Sequence, residues 1–404
     1  KFIFSKGKSV NENYLQFDHN NYRNFFHQKF LKLKVQSMSK GIRVAPRFFE
    51  FLSYLSEPTR LFNNLCGHED FSLPGTQYML KQSGFSPDII HAHNLHSNFF
   101  DLRELTNLSK NHHFFLTLHD CWMFTGHCCH FFDCNRWKDR CGECPHLKVP
   151  MQLKRDGTKF NLRQKREFFE NCKFHIATPS KWLADQVGKS ILKPAIKSLT
   201  VIPNGIDLSI FKPSRKDSAK SSLGIAQNRF VISFSCNSPS QNPWKNYQLL
   251  EEIIETLNNS DCGNKISIVI LGESGKDIEW GHISVKKIDW VVDPVKVAEV
   301  YQASDIYLHV TKADTYPSVV MEAMACGTPV VASRIGGIPE QISNHQDGIL
   351  LPNDAKIFAE EIISLISDES RLKTMKEKAL EKSNQFNQDK MISNYYKWYD
   401  HHKN

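Results

Sequence analysis

Two alternating patterns of apolar residues run through most of the chain: short β-type runs, and longer stretches with apolar positions three and four residues apart. Their alternation predicts an α/β fold with parallel sheets. In the first half, residues 89–92, 114–118, 174–177 and 199–202 read as strands. In the second half the strand runs are 230–235, 266–271, 285–288, 305–310, 329–332 and 348–351. Helices are predicted over 294–303, 318–325, 355–366 and 371–384, and a last amphipathic segment, 391–399, is expected to pack across domains. Residues 1–85 show mostly helical periodicity, with 47–52 amphipathic, and carry no chemical motif. The turn Pro203-Asn204-Gly205 places a domain boundary between residues 1–203 and 204–404. Two doubly wound domains would bind ligand at the carboxyl ends of their strands, so the chemistry is expected in a central cleft between them.

Length and composition narrow this picture. A chain of 404 residues is long for one core, and 40% hydrophobic with 23% charged residues is the balance of a folded globular protein rather than a disordered or collagenous one. The apolar runs fall far short of the roughly 18 residues a membrane span requires, so no crossing helix is expected. The opening residues lack Met and a long apolar core and do not read as a signal peptide. The formal charge of +8 is uneven: residues 1–200 hold 29 basic and 17 acidic side chains. That excess points to an anionic partner or to a generally basic solvated face, and charge alone does not choose between them.

The richest segment for chemistry runs from Thr311 to Gly327, following a strand and opening a helix at Ser318. Pro317 suits the first turn and Gly327 the end. The free N–H groups of Ser318, Val319 and Val320 would form an anion site fit for a diphosphate. Glu322, one turn further, could accept hydrogen bonds from ribose hydroxyls, or could satisfy a neighbouring backbone group or lysine.

Asp314 with Glu322 resembles the acidic-x7-Glu signature of retaining GT-B glycosyltransferases of the family 4 type. The run from Glu322 to Ser333 is similar to the same family, as are Val201 to Asp207, Gly336-Gly337-Ile338-Pro339-Glu340, Asp347-Gly348, Thr178 to Ala184 and Pro87 to His93. The resemblance covers roughly residues 85–400, and several motifs in order are more specific than any one alone. It implies two Rossmann-like domains, the second binding a nucleotide-diphosphate sugar without a catalytic metal. Carried over residue by residue, Glu322 holds the ribose, Pro317 to Val320 the phosphate, and Lys245, beside Asn246, supplies the cation unless it is an ordinary surface lysine. Gly336 and Gly337 fall in the donor region. Asp314 stands where the family usually has Glu, and the family's phosphate Arg has no counterpart near Asn237 or Ser238.

The same resemblance implies a hexosyltransferase in which the departing phosphate takes the acceptor's proton and the protein supplies positioning and electrostatics. His119, at a strand end, matches the family histidine that faces the donor sugar. Asp120 beside it is the competing candidate, as the general base an inverting enzyme would need. The family's opening Gly-Gly loop is absent from residues 1–85, so the start is either truncated or changed.

Five of the 11 cysteines lie between Cys128 and Cys144, and Cys141-x2-Cys144 has the spacing of a zinc knuckle. Cys128, Cys134, Cys141 and Cys144 are the expected ligands of a structural zinc in the loop 121–146, with His127, Cys129, His130 and His146 as alternatives. Free thiols or a single disulfide are the bland reading. A subset of the family resembles this His-Asp-x-Trp and cysteine pattern.

The expected protein is therefore a cytoplasmic glycosyltransferase, peripheral at the inner face of the plasma membrane, acting on a glycan or polyprenyl-linked acceptor in cell-surface polysaccharide synthesis. A basic zinc-bearing nucleic-acid binder explains the cluster but nothing after Pro203. A nucleotide-sugar epimerase or a phosphorylase of the same fold remains the other alternative.

Overall fold

The computed structural model describes residues 18–40, 45–84, 86–97 and 99–403, together with the backbone of 2–4 and 14–16. Residues 5–13, on which the reading of an altered opening loop partly rests, lie outside the described residues. The chain divides into two compact units, 1–177 with 185–200, and 178–184 with 201–402. The passage between them falls at 200/201 rather than after Pro203, and the turn 178–184 groups with the second unit.

In the first unit, β1 (Phe2–Phe4) and β2 (Tyr14–Gln16) form a parallel pair. Helices α1 (Phe25–Ser39), α2 (Ala45–Leu55), α3 (Pro58–Cys66) and α4 (Met79–Ser83) follow. Strands β3 (Ile89–His93), β4 (His113–Thr117), β5 (Phe174–Thr178) and β6 (Ile196–Val201) make a four-stranded sheet in sequence order, with α5 (Leu105–Asn111), α6 (Thr158–Phe169) and α7 (Lys181–Gly188), whose residues 181–184 group with the second unit, between them. Phe114, Phe115, Leu116 and Thr117 are all buried, as expected of a central parallel strand covered on both faces.

The second unit is a seven-stranded sheet. Its strands are β7 (Phe230–Ser235), β8 (Ile266–Leu271), β9 (Ile278–Trp280), β10 (Ile283–Ile288), β11 (Ile306–His309), β12 (Val330–Ser333) and β13 (Gly348–Leu351), ordered β13-β12-β11-β7-β8-β10-β9. Only β9 runs antiparallel, at the edge against β10. Helices α8 (Lys216–Ser222), α9 (Tyr247–Asn258), α10 (Pro294–Ala303), α11 (Ser318–Ala325), α12 (Ile338–Gln341), α13 (Ala355–Ser367), α14 (Glu369–Ser383) and α15 (Gln388–Lys403) complete it.

Local sequence explains these elements. In α9 the buried residues are Leu249, Leu250, Ile253, Ile254 and Leu257, a stripe of helical period against the sheet. In α10 the Asp293 side chain accepts from Val295 N–H and Pro294 takes the first turn.

The strand order positions the site. From β7 the chain winds outward through β8 to β10, then returns to the other side of β7 and winds outward again through β11, β12 and β13. The reversal lies between β7 and β11, and a doubly wound sheet opens its ligand crevice beyond the carboxyl ends of such a pair.

Candidate functional site

Lys245, Asp314 and the amino end of α11 all lie on the segments that leave β7 and β11, beyond the carboxyl ends of the switch-point strands. The loop 242–246 is fastened to the β11 exit. Trp244 O accepts from Lys312 N–H at 2.7 Å and from Thr311 Oγ1 at 2.9 Å, and Asn242 Oδ1 accepts from Trp244 N–H at 3.1 Å.

That zipper carries Lys245 Nζ to 2.8 Å from Asp314 Oδ2, with both side chains largely buried at 14% and 18% exposure. Lys245 is thus an ion-pair partner rather than a lone surface cation. Burial alone would push the Asp314 carboxyl up, but the Lys245 ammonium and then His309 hold it well below the ordinary carboxylate range. The other carboxylate oxygen accepts from Thr315 N–H at 3.0 Å. His309 Nε2 lies 3.5 Å from Asp314 Oδ2; burial lowers its pKa to about 4, so the ring is neutral at pH 7.

Behind this pair runs a buried polar chain that no sequence motif announced. His309 Nδ1 is 3.3 Å from Tyr307 OH, which is 3.0 Å from Ser235 Oγ, which is 3.1 Å from Tyr301 OH. Tyr301 OH donates to Glu322 Oε2 at 3.3 Å. His309 and Glu322 are therefore ends of one hydrogen-bonded chain, and Asp314 lies 3.5 Å beyond its His309 end. Burial raises the Glu322 pKa, while bonds from Ser318 and Tyr301 pull it back. The alternative in which Glu322 answers a lysine is not what the structure has; its partners are hydroxyls. The available signal was the period of two along β11, which puts Tyr307 and His309 on one face, but partners on β7 and α10 were not readable from it.

The four residues before α11 are clamped one by one. A Cβ on Gly336 would stand 1.8 Å from Asp314 O, and one on Gly337 1.9 Å from Thr315 O. Gly336 has φ +58°, so it meets both a steric and a backbone requirement. Asn204 Nδ2 donates to Tyr316 O at 3.3 Å and Gln341 Nε2 to Pro317 O at 2.9 Å. Gly336 and Gly337, expected in the donor region, thus sit hard against the backbone that carries Asp314 and Thr315. The α11 cap residue, Pro317, offers no side-chain acceptor, so the first-turn amides of Ser318, Val319 and Val320 lack a side-chain cap. Asn246 precedes α9 and likewise makes no side-chain cap bond. Glu340 serves another helix. Its two oxygens each accept at 2.7 Å, from Lys181 and Trp182 N–H, capping α7.

In the first unit, His119 follows β4 by two residues. Its Nε2 is 3.0 Å from His93 Nδ1, and burial lowers its pKa despite Asp120. Asp120 Oδ2 lies 3.1 Å from His96 Nε2, and its other oxygen accepts from Trp122 N–H at 2.9 Å. Burial raises the Asp120 carboxyl, but its hydrogen bond with His96 carries it below the ordinary value. The turn that holds these groups is braced by fully buried Lys165. Its Nζ donates to Trp122 O at 2.9 Å and Thr125 O at 3.0 Å, and pairs with Glu69 Oε2 at 2.9 Å. Nothing in the sequence distinguished Lys165 from the many basic residues around it.

Of the cysteines expected to bind metal, Cys128, Cys134, Cys141 and Cys144 line one small cavity together with His127. The donor atoms of His127, Cys128 and Cys144 lie within 4.8 Å of one another.

Sequence comparison places these features. Residues 48–210 match the model of "Glycosyltransferase Family 4" and residues 229–368 that of "Glycosyl transferases group 1", together about three quarters of the chain. The chain belongs to the group 1 glycosyltransferases of GT-B fold. Among curated proteins it is similar to a D-inositol 3-phosphate glycosyltransferase of Segniliparus rotundus, 28% identical over 191 residues, which are 44% of this chain and 41% of that protein. It is also similar to the putative colanic acid biosynthesis glycosyl transferase WcaC of Escherichia coli K12, 26% identical over 266 residues, covering 61% and 60% of the two chains. The match thus spans about two to three fifths of the length of such relatives. Among solved structures, Anabaena HepE in complex with UDP is similar in fold, with TM-score 0.59, 18% identity and coverage of 80% and 81%. Sucrose-phosphate synthase of Thermosynechococcus elongatus gives TM-score 0.58 at 17% identity, covering 80% and 75%.

Proposed function

We propose that this chain is a retaining hexosyltransferase that moves a sugar from a nucleotide-diphosphate donor to a glycan or lipid-linked acceptor in cell-surface polysaccharide synthesis. The observation that carries it is the switch-point crevice, where Lys245, Asp314, the uncapped amides of Ser318 to Val320 and Glu322 sit on adjoining segments of one unit. In this reading Glu322 accepts from ribose hydroxyls, the α11 amides receive the diphosphate and Asp314 meets the sugar. Lys245 shares its charge between Asp314 and phosphate, which offsets the missing arginine. No protein nucleophile is required: the leaving phosphate oxygen takes the acceptor proton as the new glycosidic bond forms on the same face. In the first unit His119 is the candidate for the sugar, and Asp120 is its competitor, as the general base that an inverting enzyme would need.

Supporting the choice of donor, HepE structures hold UDP and UDP-glucose, so uridine is the first base to test. The likeness to WcaC supports a polysaccharide pathway. Peripheral membrane association has its support in α1 to α3. There Phe25, Phe26, Phe48, Phe51 and Phe62 are more than half exposed, beside Lys29, Lys32, Lys34 and Arg47. No helix among the described residues is long and apolar enough to cross a membrane.

The test is calorimetric titration with UDP, GDP, ADP and CDP, on the chain and on Glu322→Ala. One diphosphate should bind, and Glu322→Ala should abolish it. Binding unaffected by Glu322→Ala, or salt-dependent DNA binding with no nucleotide binding, would remove the proposal. The anomeric configuration of the first product, read by NMR, decides retention. Flotation with vesicles containing anionic lipid at low salt decides the membrane part, absence of flotation refuting it.

A further inference from the structure

We infer that the loop 127–144 holds one zinc ion, and that His127 is one of its four ligands alongside Cys128, Cys144 and one of Cys134 and Cys141. Cysteine spacing by itself favoured four thiolates; the folded arrangement gives the imidazole a place among them. His127 is fully buried, with its Nε2 3.4 Å from Cys144 Sγ and its Nδ1 without a hydrogen-bond partner. The sulfurs of Cys128 and Cys144 and a ring nitrogen of His127 lie within 4.8 Å of one another. The nitrogen that faces the thiols, Nε2, is the one placed to coordinate an ion shared with Cys128 and Cys144.

The cavity supports the same conclusion. All five donors line one space of about 20 Å³, with Phe131, Trp137 and Thr158 beside them. That is room for a single water-sized sphere, which suits one ion and excludes an organic ligand.

Backbone geometry supplies an independent observation. Cys141, Gly142 and Glu143 all lie in the left-handed region, at φ +51°, +87° and +46°. For the two non-glycine residues such a conformation costs roughly 1–3 kcal/mol each and persists only where the surroundings impose it. The imposed geometry sends two amides outward to fixed acceptors: Gly142 N–H reaches Thr158 Oγ1 at 2.9 Å and Cys144 N–H reaches Asp156 Oδ2 at 2.6 Å. These two bonds fix the knuckle turn that carries Cys141 and Cys144.

Four protein ligands leave no open position for water, so the ion is structural. Binding converts thiols to thiolates and releases their protons to solvent. Its effect is to tie the 127–144 loop together ahead of α6, close to the Lys165 brace under His119 and Asp120.

The test uses the full chain purified without chelator, with metal content read by plasma mass spectrometry. We expect one zinc per chain. Cobalt exchange should give the visible absorption of a tetrahedral sulfur and nitrogen site. Cys128→Ser and Cys144→Ser should lose the metal. His127→Ala should lose it or bind at least tenfold more weakly, and His127→Cys should restore stoichiometric zinc because it replaces one ligand by another. One of Cys134→Ala and Cys141→Ala should abolish binding and the other retain it. Loss in both, with retention in His127→Ala, would mean a four-thiolate site and would overturn the role of His127. A well-folded chain that is metal-free and stays so after refolding with zinc, with four reactive thiols or a Cys128–Cys144 disulfide, would overturn the site altogether. A metal-free sample is decided by refolding with equimolar zinc: no uptake refutes the inference.

Discussion

The Lys245–Asp314 pair offers the sharpest test of how the second unit is held together. At 2.8 Å the attraction between unit charges is between about 1.5 kcal/mol in water and about 6 kcal/mol at an effective dielectric near 20. Burial of both groups costs a large part of that, so the pair adds little over an apolar replacement; breaking it is another matter. Lys245→Ala leaves Asp314 largely buried beside a neutral imidazole, and we expect a loss of about 3–5 kcal/mol. Asp314→Asn keeps an acceptor for Thr315 N–H and should cost less, about 2–3 kcal/mol. In the double variant neither charge is stranded, so the combined loss should fall short of the sum by at least about 1.5 kcal/mol. Urea unfolding of the four proteins at pH 7, followed by tryptophan fluorescence, reads these values. The pH dependence adds a signed check. The folded Asp314 carboxyl titrates below its unfolded value of about 3.9. Its stabilisation is therefore complete above about pH 4 and is lost as the pH falls from there toward the folded pKa, as the unfolded chain takes up the proton first. Lys245→Ala should flatten that acid loss. Additive single losses within about 0.5 kcal/mol, or an unchanged acid slope, would refute the reasoning.

Other consequences follow from the same contacts. Tyr301→Phe removes the hydroxyl that donates to Glu322, and we expect about 1 kcal/mol of destabilisation with nucleoside-diphosphate affinity reduced several-fold and its acid limb shifted to higher pH, read by titration calorimetry. Gly336→Ala forces a Cβ against Asp314 O at a left-handed residue; it should cost more than about 2 kcal/mol and weaken nucleotide binding, and a fully active, equally stable variant would contradict the clamp. Glu340→Ala uncaps α7 and should cost about 1–2 kcal/mol in thermal unfolding, with Glu340→Gln recovering part of it. Lys165→Met strands Glu69 and two carbonyls in the interior of the first unit and should lower stability by about 3–5 kcal/mol, measured by urea unfolding.

Much of this protein was legible along the chain. The apolar run of β8, broken only by Ser267, and the helical spacing of α13 are properties of neighbouring residues, and each is satisfied by the same physics in the folded unit. The motif around Asp314, Pro317 and Glu322 was equally local, because a strand exit, a first-turn proline and a carboxylate one helical turn on need no distant partner to be recognised. What the tertiary structure alone decided are relations between residues far apart in sequence. Tyr307 and His309 looked like ordinary strand positions until β7 and α10 set Ser235 and Tyr301 beside them. Gly336 and Gly337 were expected only in the donor region, and their packing against the loop after β11 came from the fold. Lys165 and Glu69 stand 96 positions apart, and their pairing depends on a desolvated pocket that no local pattern encodes. Local periodicity follows from the geometry of the backbone, whereas the partner of a buried polar group follows from which surfaces the packed sheet brings together.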